Sequence, residues 1–295
     1  MGESQGAAYL VTYVNAVDRY AQVFDGFFVH GRPGAGVAID GEFNPPSHRG
    51  GLEGTVEAIS ARGERIREDT RVPVLLLQSE TDVILLGGGL AAQPDTERIR
   101  TWELAGAAHG DTYRVTVSRK DDGTLSAEQL ADLLRPTRKL FMDLTDSHSP
   151  YNAGPQQHYV AQAALDHLDR WAAGGDAPPS APRIDLDETR TRFLLDEYGL
   201  ARGGIRTPWV EAPTAMLSGL GQSGESFAVM FGRTEPFDDA ALSILYPGGM
   251  PEYLARFTGS LDAAIADGFV LSDDRDEILG IAAAPSSFPL QLAEG

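Results

Sequence analysis

Apolar residues in the first hundred positions fall into short unbroken runs, with longer amphipathic or polar stretches between them. Val23-Phe24-Asp25-Gly26-Phe27-Phe28-Val29-His30 is aromatic and β-branched, Val72-Pro73-Val74-Leu75-Leu76-Leu77-Gln78 is apolar almost throughout, and Ile99-Arg100-Thr101-Trp102-Glu103-Leu104 has similar length. Such runs read as strands covered on both faces, the pattern of a parallel sheet sandwiched by helices. Before them, Gln5 to about Val17 has the small residues and the period of a buried helix, which Asp18-Arg19 should break. Asp40 to Gly54 is loop-rich around Asn44-Pro45-Pro46, and Thr55 to Asp69 reads as a charged, exposed helix.

Beyond position 120 the helical period dominates. Ser126 to Leu134 opens with Ser126 and Gln129 at capping-box spacing, and Gln156 to Ala173 is a long amphipathic stretch closed by Gly174-Gly175. Ala177-Pro178-Pro179-Ser180-Ala181-Pro182 is the best linker, Asp185 to Tyr198 reads as a charged helix, and the remainder alternates short helices with turns. The pattern therefore predicts an α/β core over residues 1–176 and a mainly helical appendage over 183–295. Trp209, Phe227, Phe231 and Tyr246 either fill the core of that appendage or wall a pocket beside it.

Composition narrows the function classes. A formal net charge of −19 with a sequence pI near 4.6 disfavours nucleic acids and anionic membrane surfaces, which recruit Lys and Arg. The partners expected are neutral or cationic small molecules, or proteins. With no cysteine, disulfides, thiolate catalysis and cysteine-based zinc sites are excluded. His48, His148, His158 and His167 lack metal-ligand spacing, so neither a metal nor a cofactor is expected. No run reaches the roughly 20 apolar residues that span a bilayer, and the first residues lack the basic start of a signal peptide. Localisation is left open.

The chemistry concentrates at the ends of the predicted strands. Gly2-Glu3-Ser4-Gln5-Gly6 has the spacing of a nucleophile elbow, in which a serine on a sharp strand-to-helix turn is flanked by glycines where side chains would clash. Ser79-Glu80-Thr81-Asp82 leaves the second strand, and Ala105-Gly106-Ala107-Ala108-His109 leaves the third. Ligands of open parallel sheets collect at that edge. Two other serine- or glycine-rich stretches fail: in Gly31-Arg32-Pro33-Gly34-Ala35-Gly36 the third glycine of a dinucleotide fingerprint would fall on Ile39, and Ser223 in Gly221-Gln222-Ser223-Gly224-Glu225 lacks the second flanking glycine.

The order serine, carboxylate, histidine on successive strand ends, with Asp25-Gly26-Phe27 to Arg32 and Gly204-Ile205-Arg206-Thr207-Pro208-Trp209, resembles the α/β-hydrolase superfamily, and within it bacterial "alpha/beta hydrolase domain" proteins. The resemblance covers most of the chain. It implies Ser4 as nucleophile, Asp82 as acid with Glu80 as the rival, His109 as general base, and the backbone N–H of Gln5 as an oxyanion donor. His30 and Trp209 are candidate pocket residues. The activity implied is hydrolysis of a carboxylic ester through an acyl-enzyme, with an amidase, a lactonase or a silent binding module as alternatives. Because Met1 stands three residues before Ser4, the resemblance also implies that the N-terminal part of the sheet is lacking. The strand at Val23 to His30 would then expose a long apolar edge, open to self-association or to a separate segment.

Overall fold

The computed structural model describes residues 1–39, 63–138, 147–224 and 227–284. The loop around Asn44-Pro45-Pro46, His48 and most of the helix expected over Thr55–Asp69 lie outside them; the described part of that stretch, 63–69, is irregular chain ending in a turn, not helix. The chain divides into two compact units. The first comprises Met1–Leu104, Ala163–Leu194 and Gly203–Ile205, and the second Ala105–Gln162, Leu195–Arg202 and Arg206–Gly295. The division thus follows the end of a strand, not the proline-rich stretch at 177–182.

The first unit is built on a four-stranded parallel sheet in the order β1 (Gly2–Glu3), β2 (Phe27–His30), β3 (Val74–Ser79), β4 (Ile99–Leu104). Every residue of β2 and β3 is buried, as their unbroken apolar runs require. β2 is shorter than its sequence suggested. Its ladder starts where β3 starts, Phe27 opposite Val74, because Pro73 has no N–H to continue the pairing and only its carbonyl accepts, from Phe27 N. Val23 and Phe24 are consequently exposed. The expected open edge also falls elsewhere: Gly2 and Glu3 pair with Val29 and His30, so two residues suffice to place a strand ahead of Ser4 and β2 is an interior strand.

Helix α1 (Gln5–Thr12) leaves β1 directly and buries Ala7, Ala8 and Val11. Ala7, Val11 and Val14 join Phe27, Val29, Val74, Leu76 and Ile99 in one apolar cluster. Asp18 does not end the helix. A π-helical turn over Tyr13–Val17 passes into α2 (Asp18–Ala21), and the chain stops only at Gln22, in the left-handed region. Asp18 is tolerated there because its buried carboxylate meets Arg71 at 3.3 Å.

The helix expected over Asp185–Tyr198 is absent. Leu186 pairs with Phe193 and Leu195 with Ala201 in isolated antiparallel bridges around tight turns. Asp187 Oδ1 accepts from the amides of Thr191 and Arg192, and Asp196 Oδ1 from those of Tyr198 and Leu200. These side-chain acceptors take amides that a helix would use, so local hydrogen bonding wins over helix propensity.

The second unit is mainly helical. Its elements are α4 (Ala127–Leu133), the first turns of α5 (Gln156–Ala172), α6 (Pro208–Glu211), α7 (Asp239–Leu245), α8 (Met250–Ala266) and α9 (Arg275–Ala283). The capping box at the start of α4 forms as the spacing predicts: Gln129 N donates to Ser126 Oγ, and Gln129 Oε1 accepts from Ser126 N. Tyr253, Phe257 and Leu261 recur every four residues along α8 and lie buried in a cluster with Leu130, Tyr159, Tyr246 and Ile278. An antiparallel pair, β5 (Ala215–Ser218) with β6 (Arg233–Pro236), was not expected from the pattern. Four-residue strands carry too few alternations to stand out from loops.

Candidate functional site

Ser4 sits where β1 turns into α1, with φ 55 and ψ −122. Only three non-glycine residues among those described have positive φ, and such a conformation costs about 1–3 kcal/mol. Backbone bonds on both sides hold it: Ser4 N donates to the His30 carbonyl at 3.0 Å, and the Ser4 carbonyl accepts from Ala7 N at 3.0 Å. A serine preceding a helix ordinarily caps it with its hydroxyl, yet Ser4 makes no capping bond. The hydroxyl of Ser4 thus takes no part in capping α1.

The flanking glycines have unequal roles. A Cβ on Gly2 would lie 2.6 Å from the Gly6 carbonyl oxygen, so the backbones meet too closely for any side chain at position 2. A Cβ on Gly6 would meet nothing within 4 Å. The steric need expected at both positions therefore exists only at Gly2. Next to the turn, His30 is nearly buried, stacks on Phe28 with ring centroids 5.6 Å apart, and holds Nδ1 3.7 Å from Glu3 Oε1.

Helix α3 (Glu80–Ile84) begins immediately after β3. Ser79 caps it: its hydroxyl accepts from Asp82 N, while Asp82 Oδ2 accepts from Ser79 N at 2.6 Å and from Ser79 Oγ at 2.7 Å. Asp82 is fully buried, so these donors offset its desolvation and fix its carboxylate against the strand end. Glu80, the first residue of α3, is also buried. Both candidate acids thus sit at the carboxyl end of β3, and the capping box also gives Asp82 a structural duty.

In the second unit, His109 is half-buried on the loop that follows β4, five residues after the strand ends at Leu104. Its loop is pinned through the backbone: Gly110 N donates to the Met230 carbonyl at 3.0 Å, and Arg114 Nη1 to the His109 carbonyl at 3.3 Å. Gly106, at φ 69, turns the chain; its carbonyl accepts from Asn152 Nδ2 at 2.9 Å and Gln156 Nε2 at 2.8 Å. These two fully buried amides, which sequence reasoning did not single out, set the course of the histidine loop. Their only signal was polarity without charge beside apolar neighbours. Trp209 lies in the wall of a cavity within the second unit, stacked on Tyr159 and edge-on to Phe257. No group of three or more His, Asp or Glu side chains suited to a metal occurs among the described residues.

A strained serine between a parallel strand and a helix, in a chain whose third strand is followed by carboxylates, is the arrangement of one large superfamily. A family model described as an alpha/beta hydrolase domain matches residues 1–280. The chain belongs to that family. Neither a curated protein nor a solved structure matches it. As an alpha/beta hydrolase domain, with a four-stranded parallel sheet, its helices and a helical C-terminal region, the chain is placed among hydrolases, and its site must supply the specific reaction.

Proposed function

We propose that this hydrolase domain cleaves carboxylic esters, with Ser4 as the nucleophile. The observation that carries the reading is the conformation of Ser4, φ 55 and ψ −122 at the end of β1, in a serine that does not cap the helix it precedes. Ser4 Oγ attacks the ester carbonyl carbon while His109 takes the hydroxyl proton. The Gln5 N–H, first amide of α1, receives the developing oxyanion. The alkoxide then leaves with the proton from His109, and water, deprotonated by the same imidazole, releases the carboxylate product from the acyl-enzyme. Asp82 orients His109; what supports Asp82 over Glu80 is that two donors already hold its carboxylate rigid at the strand end.

A fluorophosphonate probe tests this reading, because it phosphonylates an activated serine and leaves ordinary hydroxyls untouched. The adduct is expected on Ser4 alone, located by peptide mass spectrometry. An adduct on Ser223, or none on folded protein, refutes the assignment.

A further inference from the structure

The second unit contains an open-mouthed cavity of about 70 Å³ between β5, β6 and helices α6, α8 and α9. That is roughly five times the 10–15 Å³ that one water needs, enough for a chain of about four carbons. Its wall is largely apolar: Trp209, Leu217, Tyr253 and Ile281 face it. Trp209 cannot swing in to fill the space, because it is stacked on Tyr159 at 5.8 Å with an interplanar angle of 4° and abuts Phe257 at 5.4 Å. Thr234, a buried polar residue of the wall, spends its hydroxyl on backbone, donating to the Tyr151 carbonyl and accepting from Ala153 N. An interior that is apolar over most of its wall favours an aliphatic occupant.

The rim differs in kind. Arg135 reaches it from the end of α4, its side chain largely exposed, 3.1 Å from Asp132. Exposed pairs of this type are weak and exchange partners readily. A cation on the mouth of an apolar pocket selects an occupant with an apolar tail and an anionic head.

We propose that this cavity is a binding site for short-chain aliphatic monocarboxylates, the tail between Trp209 and Tyr253 and the carboxylate at Arg135. The proposal is independent of the catalytic reading, and its test uses the Ser4→Ala chain so that turnover plays no part. Butyrate and butan-1-ol, equal in chain length, are titrated by calorimetry into that chain and into the same chain carrying Arg135→Gln or Ala215→Leu. Butyrate is expected to bind one to one with a millimolar Kd. Arg135→Gln, an exposed change, should weaken butyrate about two- to fivefold and leave butan-1-ol unchanged. Ala215→Leu, which pushes a larger side chain into the cavity, should weaken both ligands about tenfold or more while thermal stability holds or rises. The proposal is overturned by an absence of saturable butyrate binding, by an Arg135→Gln effect equal for acid and alcohol, or by undiminished binding in a folded Ala215→Leu chain.

Discussion

Ser4 and Ser223 stand in nearly the same local sequence, Gly-Glu-Ser-Gln-Gly and Gly-Gln-Ser-Gly, one in the sheet unit and one in the helical unit. Their surroundings differ in what holds them. Ser4 is fixed by backbone: a strand before it, a helix after it, an amide bond to the His30 carbonyl and a φ of 55. Ser223 is exposed on a loop, at ordinary φ, and what defines it is a side chain, with His148 Nδ1 2.8 Å from its hydroxyl. A serine–histidine hydrogen bond is thus present at the residue that the fold does not favour. Contact between the two side-chain types is cheap on a surface, whereas a strained backbone persists only where the surrounding structure enforces it.

The largest expected effect tests that comparison directly. Ser4→Ala should lower ester hydrolysis by at least about 10⁴-fold, and Ser223→Ala by less than about twofold, measured as kcat/KM on a chromogenic ester. Reversed effects would make the side-chain pair, not the strained turn, the mark of the reactive serine.

Next in size is the contrast between the two acids on α3. Asp82→Asn should cost orders of magnitude in kcat, about 10⁴ by analogy with serine proteases, whereas Glu80→Gln should cost less than about tenfold. Because Asp82 also caps α3, its variant is to be compared by thermal melting as well. Loss of rate with an unchanged Tm assigns catalysis to it, and the opposite ranking of the two variants moves the role to Glu80.

The glycines provide the third test. A methyl on Gly2 must displace the Gly6 carbonyl 2.6 Å away, so Gly2→Ala should destabilise by about 1–3 kcal/mol and degrade activity with it. Gly6 lies in the first turn of α1 with open space where its Cβ would be. Gly6→Ala should therefore stabilise by roughly 0.5–1 kcal/mol in chemical denaturation. Equal penalties at both positions would mean that the turn demands glycine for flexibility and not for close approach.

The smallest effect concerns the helical unit, where side chains and not backbone carry the unusual energetics. Burial, then the charges of Glu277 and Asp273, raise the Asp274 carboxyl from its ordinary range to about 6. A pKa raised on folding contributes stability that is complete below about pH 4 and lost as pH climbs through about 6. Asp274→Asn should accordingly raise Tm by about 1–3 °C at pH 7.5 and give no difference from the parent chain at pH 4. A gain of equal size at both pH values would assign it to packing.

Much of this was readable before any coordinates. β4 runs over the six residues that the pattern marked, α5 ends one residue from the expected position, and the α4 capping box forms with the partners its spacing named. Each rests on neighbours within a few residues, so local sequence suffices. The misses share a different cause. The start of β2 depended on Pro73, just ahead of another strand, and the turns at 187–200 depended on side-chain acceptors competing with a helix that composition favoured equally.

For the site, the sequence by itself determined the residue types and their order: a serine between glycines, carboxylates after one strand, a histidine after the next. It could do so because strand ends are marked by where apolar runs stop. The tertiary structure alone decided that Ser4 is strained, that Gly2 and not Gly6 is sterically required, and that Asp82 is locked to Ser79. It alone hollowed a cavity behind Trp209. The cavity and the bond that holds Ser4 to His30 join parts of the chain far apart in sequence, which no run of neighbouring residues encodes; the contacts at Gly2 and at Ser79–Asp82 are local, but they form only in the turn and helix that the fold places there.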